Sequence, residues 1–336
     1  METCIACGSQ NILKESQIEG YVQGAFYFIC SCFSCGTKWS SPHTEESSVY
    51  NLIYSEKDTP GYMRYNEYAE EILYSSNPLR FLKFKEEMYY SVVKSIDKNI
   101  TKNGNILDVG CGLGYMTYAL VKGGYKATGL DISSNAIEKA TSRYGDYFVC
   151  ENFFSFKGIG GGYDAICMLE LIEHVHDPKK YIEHAMTLLS PEGILILTTP
   201  NRSWHPDKTL WGTDLPPVHL TWFSEKGISS FAEMLGLKAS FFSFGFYNIF
   251  FGTLLKPEIP NLSVRTSFFT KNGDVLYPRY VKSKLRILTE KFHMYVFLKM
   301  ILHMIKKVRE FLNILFSNSS LCLRKSNIIC VTMCRQ

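Results

Sequence analysis

Two short thiol pairs, Cys4-x-x-Cys7 and Cys32-x-x-Cys35, open the chain, and a glycine (Gly8, Gly36) directly follows each. Tetrahedral zinc takes four thiolates at about 2.3 Å, and two such loops supply them. The glycines permit the tight turn that each loop must make. Cys30 stands close to Cys32 and competes with it, but the symmetric spacing favours Cys32. The expected ligands of a structural zinc are therefore Cys4, Cys7, Cys32 and Cys35, and four of them close the shell to water and substrate. Five of the eleven cysteines fall in the first 36 residues, behind a start without a basic and apolar export signal. That combination sets the expectation of a reducing, cytoplasmic setting and of metal rather than disulfides.

A second set reads Leu107-Asp108-Val109-Gly110-Cys111-Gly112-Leu113-Gly114, with Gly129-Leu130-Asp131-Ile132 after it. A glycine turn behind a strand lets a ligand approach the backbone, and an acid about 20 residues later can hold a ribose diol. A dinucleotide fits poorly. Tyr115 occupies the place of the third glycine in G-x-G-x-x-G, and Asp108 would repel a pyrophosphate. A cationic ligand bearing an adenosine removes both objections, and S-adenosylmethionine is such a ligand. Asp131 would then meet the ribose, with Asp108, Gly110, Gly112 and Gly114 forming the turn under the amino-acid end. Cys111 reads as a small residue in that turn, not as a nucleophile.

Glu170-x-x-Glu173-His174 and, further on, His219 complete the groups able to do chemistry. The first three fall at a strand end and the turn after it, where open parallel sheets bind ligands. An imidazole with an ordinary pKa near 6.5 suits proton removal from an acceptor, which makes His174 the expected general base. Methyl transfer from a sulfonium asks for alignment and a proton acceptor, and no Ser-His-Asp set, P-loop or hydrolase carboxylate pair competes.

The elements that must position these groups follow from patterning. The 336 residues are 46% apolar and 20% charged with net charge +4, so a sizeable core is available and nucleic acid is not favoured by charge. Residues 62–74 and 78–96 read as helices, the second opened by Pro78. From Asn105 onward strands (106–109, 126–130, 147–150, 165–169, 194–198, 237–246) alternate with helices (115–122, 133–144, 178–189, 224–235), which calls for a parallel sheet covered on both faces. The uncharged run 239–255 is short and polar for a membrane span.

Leu107 to Gly114, Asp131-Ile132, the stretch from Tyr163 to Pro178 containing Glu170-x-x-Glu173-His174, and Leu189-Ser190-Pro191-Glu192-Gly193 with the strand after it together resemble class I S-adenosylmethionine-dependent methyltransferases, the ubiquinone O-methyltransferase-like subgroup in particular. The likeness covers about residues 105–237. It implies a Rossmann-like α/β fold with a seven-stranded sheet whose last strand, 327–332, inserts antiparallel. It also implies cofactor contacts from Ile132, Met168 and Glu170, and an adenine contact at Glu151 or Asn152. Glu170, Glu173 and His174 resemble a divalent-metal site of that subgroup, which would make Glu173 part of the catalytic set, and His219 falls on the loop used over the acceptor.

The division expected is a zinc ribbon (1–41), a linker with N-terminal helices (42–104), a methyltransferase core (105–251), a basic helical insertion (252–326) and a final strand (327–336). Residues 271–310 hold ten Lys or Arg against three Asp or Glu, and 280–316 reads as helix with one polar stripe. An anionic membrane surface would suit it, placing the protein peripherally on the inner face; a cap or dimer contact is the plainer use. The expected acceptor is a small molecule, a glycan or a lipid-linked intermediate. An RNA acceptor competes, but the ribbon carries only Lys14 and Lys38 against Glu2, Glu15 and Glu19. A non-catalytic cofactor-binding partner is the third reading.

Overall fold

The computed structural model of the chain describes residues 3–44, 49, 52–53, 59, 62–204, 212–251, 267–277, 301, 303–308, 310 and 325–336. Their centre is a seven-stranded sheet in the order β10–β11–β8–β7–β4–β5–β6. Its strands are β4 (Asn105–Val109), β5 (Lys126–Asp131), β6 (Phe148–Cys150), β7 (Tyr163–Leu169), β8 (Leu189–Pro200), β10 (Leu237–Phe241) and β11 (Ile328–Arg335). The pairs of β4 with β5 and β7, of β5 with β6 and of β7 with β8 are parallel. The last strand, β11, runs antiparallel between β8 and β10, as the resemblance implies.

Period-2 alternation divides the core between the two faces. Ile106, Ala165, Cys167, Ile196 and Cys330 join one buried cluster, while Leu107, Ile166, Met168, Leu197 and Val331 join the other. Each such aliphatic burial contributes roughly 1.5–3 kcal/mol. The first cluster is covered by α2 (Pro78–Lys83), α3 (Glu87–Asn99), α4 (Tyr115–Lys122) and α5 (Ser134–Tyr144), with α1 (Met63–Glu71) beside them. The second is covered by α6 (Pro178–Leu188) and α7 (Glu225–Met234).

The long helix expected over 78–96 is broken in two. Phe84 ends α2, and Glu86, with extended φ −144°, restarts the chain as the cap of α3. The break frees the Glu86 carboxylate, which accepts from Arg64 Nε at 2.6 Å and from the Tyr68 hydroxyl at 2.9 Å. The strand expected over 237–246 stops at Phe241, and α8 (Gly245–Phe250) follows. The described part of the run 239–255, residues 239–251, thus holds the end of a strand and a short helix, and 252–255 lie outside the described residues. Among the described residues no helix is long and apolar enough to cross a membrane.

The N-terminal segment is an antiparallel meander, β1 (Ile12–Glu19), β2 (Phe26–Cys32) and β3 (Lys38–Ser41). Its fourth strand comes from far along the chain: β9 (Thr221–Trp222) pairs antiparallel with β3. Cys4, Cys35 and Trp39 share the cluster of Leu197, Phe223 and Phe231, so the ribbon is packed into the core. Residues 278–300 and 311–324, the greater part of the expected basic helix, lie outside the described residues. Of that helix, 301, 303–308 and 310 are helical. Lys307 Nζ donates to the Asn248 carbonyl and His303 Nε2 stands 3.3 Å from the Phe250 oxygen, while Met304, Ile305 and Val308 are exposed.

Candidate functional site

The carboxyl ends of β4, β5 and β7 meet at one crevice. After β4 the chain turns through Gly110, Gly112 and Gly114 at φ of 73°, 50° and 77°, values that L side chains rarely adopt. A Cβ on Gly114 would lie 2.6 Å from the Phe148 ring, so this glycine is a packing requirement. A Cβ on Gly112 would meet nothing within 4 Å, which leaves open space over the turn. Asp131 ends β5 beside it: Oδ2 accepts from Gly112 N and Oδ1 from Ser133 N, both at 2.9 Å. The carboxylate is thereby fixed with lone pairs to spare for a diol. Ile132 is 71% exposed, an apolar surface with no protein cover. Asp108 is buried and accepts from Thr117 Oγ1 at 2.7 Å; burial pushes its pKa up to about 6.

Of the other expected cofactor residues, Met168 is fully buried in the core under the sheet. Asn152 is exposed, and its Oδ1 accepts from Phe154 N at 2.9 Å in a local turn. Glu170 stands at the end of β7 with φ 51°, a left-handed backbone costing a non-glycine residue about 1–3 kcal/mol. Hydrogen bonds from its N–H to Thr198 O and Thr198 Oγ1, at 3.2 and 3.0 Å, hold it there. Its Oε1 is buried without a hydrogen-bond partner, and burial raises the carboxyl to about pKa 8. A buried carboxyl oxygen without a partner, at the end of the strand next to the one that leads into the glycine turn, suits a cation.

Glu173, His174 and His219 form the second half of the site. Their ligand atoms lie within 4.8 Å of one another. The expected metal trio was Glu170, Glu173 and His174; the described geometry puts His219 with the latter two instead. The two rings meet edge to face at 4.5 Å. The Val218 carbonyl accepts from His174 Nδ1 at 2.7 Å, which fixes the proton on that nitrogen. Nε2 then carries the acceptor lone pair, and it lies 3.9 Å from Glu173 Oε1. Burial holds both imidazoles down at about pKa 3, and burial together with Glu170 drives Glu173 well above the carboxylate range. Neutral imidazoles with lone pairs beside a carboxyl group can take a proton or bind a cation.

Sequence reasoning missed a cluster of tyrosines on α1 and its neighbours. Tyr62, Tyr65 and Tyr68 recur at threes along α1 and its cap, and Tyr68 packs edge to face on Tyr89 and Tyr115. The Tyr89 and Tyr115 hydroxyls are 2.7 Å apart. Arg64 bridges Glu86 and donates to the Tyr65 hydroxyl at 2.7 Å. Burial raises the Tyr62 and Tyr65 hydroxyls, with Glu173 acting on the former and Glu170 on the latter. The Tyr-x-x-Tyr-x-x-Tyr spacing was the available signal, and Tyr115 joins it from the place of the missing third glycine.

The four N-terminal cysteines come together as expected. Cys4 and Cys35 sulfurs are 3.7 Å apart, Cys7 and Cys32 sulfurs 3.6 Å, and all four lie within 4.8 Å. The edge of a tetrahedron of sulfurs around zinc is about 3.8 Å for bonds of 2.3 Å, so the donor set fits. Cys30 is buried on β2 outside this group.

Residues 80–239 match the family model described as a methyltransferase domain. A ubiquinone biosynthesis O-methyltransferase of Coxiella burnetii is 34% identical over 118 residues, 33% of this chain and 50% of the relative. A mitochondrial ubiquinone biosynthesis O-methyltransferase of Dictyostelium discoideum is 30% identical over 152 residues, 39% of this chain and 47% of the relative. The chain thus spans about half the length of these curated relatives. Among solved structures, a plantazolicin methyltransferase in complex with SAH covers 85% of this chain and 94% of its own, at 15% identity and TM-score 0.42. A SAM-dependent methyltransferase from Methanosarcina mazei covers 44% and 86%, at 22% identity and TM-score 0.37.

Proposed function

We propose, for a chain whose residues 80–239 match the methyltransferase-domain model, that the whole protein transfers the methyl group of S-adenosylmethionine to a hydroxyl or carbon of a small, glycan or lipid-linked acceptor. The observation that carries the reading is the pairing of an open glycine turn, anchored by Asp131, with the buried, unpartnered Oε1 of Glu170. Asp131 would hold the ribose hydroxyls, Ile132 would back the adenine, and the turn with Glu170 would take the cationic amino-acid end. When bound, the cofactor supplies a methyl already activated on sulfonium sulfur. The protein's task is then alignment, worth about 7–11 kcal/mol, and removal of the acceptor proton. His174 Nε2 would take that proton once acceptor and cofactor are aligned; burial keeps both the imidazole and the Glu173 carboxyl beside it neutral beforehand, unlike the ordinary imidazole expected from sequence. The α1 tyrosines close the acceptor side.

A divalent cation at Glu173, His174 and His219 is a second reading, favoured by the convergence of their ligand atoms and by the absence of a hydrogen-bond partner at His219 Nδ1. Bound there, it would supply polarisation of an acceptor hydroxyl. We also assign zinc to the four cysteines, as a structural ion.

Methyl-labelled S-adenosylmethionine, incubated with the full chain and an extract of its host, tests the proposal. Label in the lipid or glycan fraction, lost with Asp131→Ala, is the expected result. Label confined to RNA would replace the acceptor class, and no label despite cofactor binding would move the protein to a non-catalytic role.

A further inference from the structure

The segment 213–224, which carries His219, contains two residues of strand and a single turn of helix, Gly212–Asp214. Its order therefore comes from what it touches. At its start, Tyr21 of the ribbon donates through its N–H to Pro216 O and through its hydroxyl to Thr213 O, both at 2.9 Å. At its end, Ser224 Oγ donates to the carbonyl of Cys35 at 2.5 Å and accepts from Gly227 N at 2.8 Å as the cap of α7. Between these anchors Lys38 and Trp39 pair with Trp222 and Thr221, and Ser40 N donates to Leu220 O at 2.9 Å. The opposite edge meets the site directly: Leu220 N and Thr221 N both donate to Glu173 O, at 2.8 and 3.1 Å. Val218 supplies the carbonyl that fixes the His174 tautomer.

We propose that the four-cysteine ribbon positions the His219 strap and, through it, Glu173 and His174, so that a metal held by the cysteines sets the geometry of the acceptor side. A segment of about 40 residues rarely builds a sufficient core, and metal binding supplies its folding free energy. Cys32 N donates to Thr37 O at 3.0 Å, so β3 starts from the knuckle itself. If the knuckle opens, the strap loses a strand partner, the Tyr21 and Ser224 anchors and the cover over Leu220 and Trp222. Thr37 and Ser224 are positioning residues in this account; neither touches the acceptor. The coupling rests on the methyl-transfer reading only for its effect on turnover.

Hydrogen exchange on the full-length protein, read by mass spectrometry with metal content measured in parallel, tests the coupling without any acceptor. Cys7→Ser is expected to lose the metal and to lower protection at Leu220 and Thr221 at least about tenfold, with β4, β5 and S-adenosylmethionine affinity unchanged. Ser224→Ala should keep the metal and still loosen Leu220 and Thr221 by about threefold, and Ser224→Thr should restore them. A role confined to capping α7 would loosen 225–234 alone. Unchanged protection at Leu220 and Thr221 in a metal-free Cys7→Ser protein would overturn the proposal. So would loss of protection throughout β4–β8, which is general unfolding, or one metal per chain retained in that variant. A chain with no methyl transfer would leave these amide results as they are, so the two failures are distinguishable.

Discussion

Glu170 combines a left-handed backbone, a buried oxygen without a partner and a pKa raised by burial to about 8. A bound cation favours the ionised form, so proton and cofactor compete for this carboxylate. Because the free-state pKa lies above neutrality, affinity should rise with pH through the range below about 8 and then level off. Calorimetric titrations should show roughly tenfold tighter binding of S-adenosylmethionine at pH 8 than at pH 6.5, and Glu170→Gln should flatten the profile. Asp108, raised to about 6, acts on stability instead. The folded state binds its proton more tightly than the unfolded chain does, so stability falls as pH rises from about 4 to 6, by up to about 3 kcal/mol. Denaturant melts of Asp108→Asn should lack that slope. Glu170, Glu173 and His174 were legible as a short run in the sequence. His219, 45 residues after His174, was placed over the acceptor only by the resemblance, because its approach rests on two backbone hydrogen bonds to Glu173 that no spacing reveals.

Among the elements, the glycine turn separates packing from binding. Gly114→Ala meets the Phe148 ring and an unfavourable φ and should cost roughly 2–4 kcal/mol, seen as a lowered Tm with little change in the cofactor site of the surviving fold. Gly112→Ala meets no protein atom, so its cost should stay near 1–2 kcal/mol while cofactor affinity falls tenfold or more. Equal affinities in both variants would place the ligand elsewhere. The parallel strands were readable because each is an apolar run bounded by turn residues. The split of α2 from α3 was not, because the apolar spacing continues across Phe84–Glu86 while the Arg64 and Tyr68 contacts pull Glu86 out of line. In the same way α1 read as a plain helix although Tyr68 on it packs against Tyr89 and Tyr115.

At the scale of the whole molecule, the cysteine spacing announced the ribbon but not its union with the core. That union depends on β9, two residues long and invisible to any periodicity, and on Trp39 entering the cluster of Phe223 and Phe231. Cys4→Ser should therefore lower zinc content and loosen the strap 213–224 together with the ribbon, against a loss confined to the first 41 residues if the ribbon were a separate unit. The central claim is that this crevice binds S-adenosylmethionine for methyl transfer, and calorimetric titration of the full chain, wild type against Asp131→Ala, tests it most directly. The account predicts one site per chain, with affinity falling at least about tenfold in the variant while its melting temperature holds. Equal affinity in the two proteins, or no binding by the wild type, would contradict it.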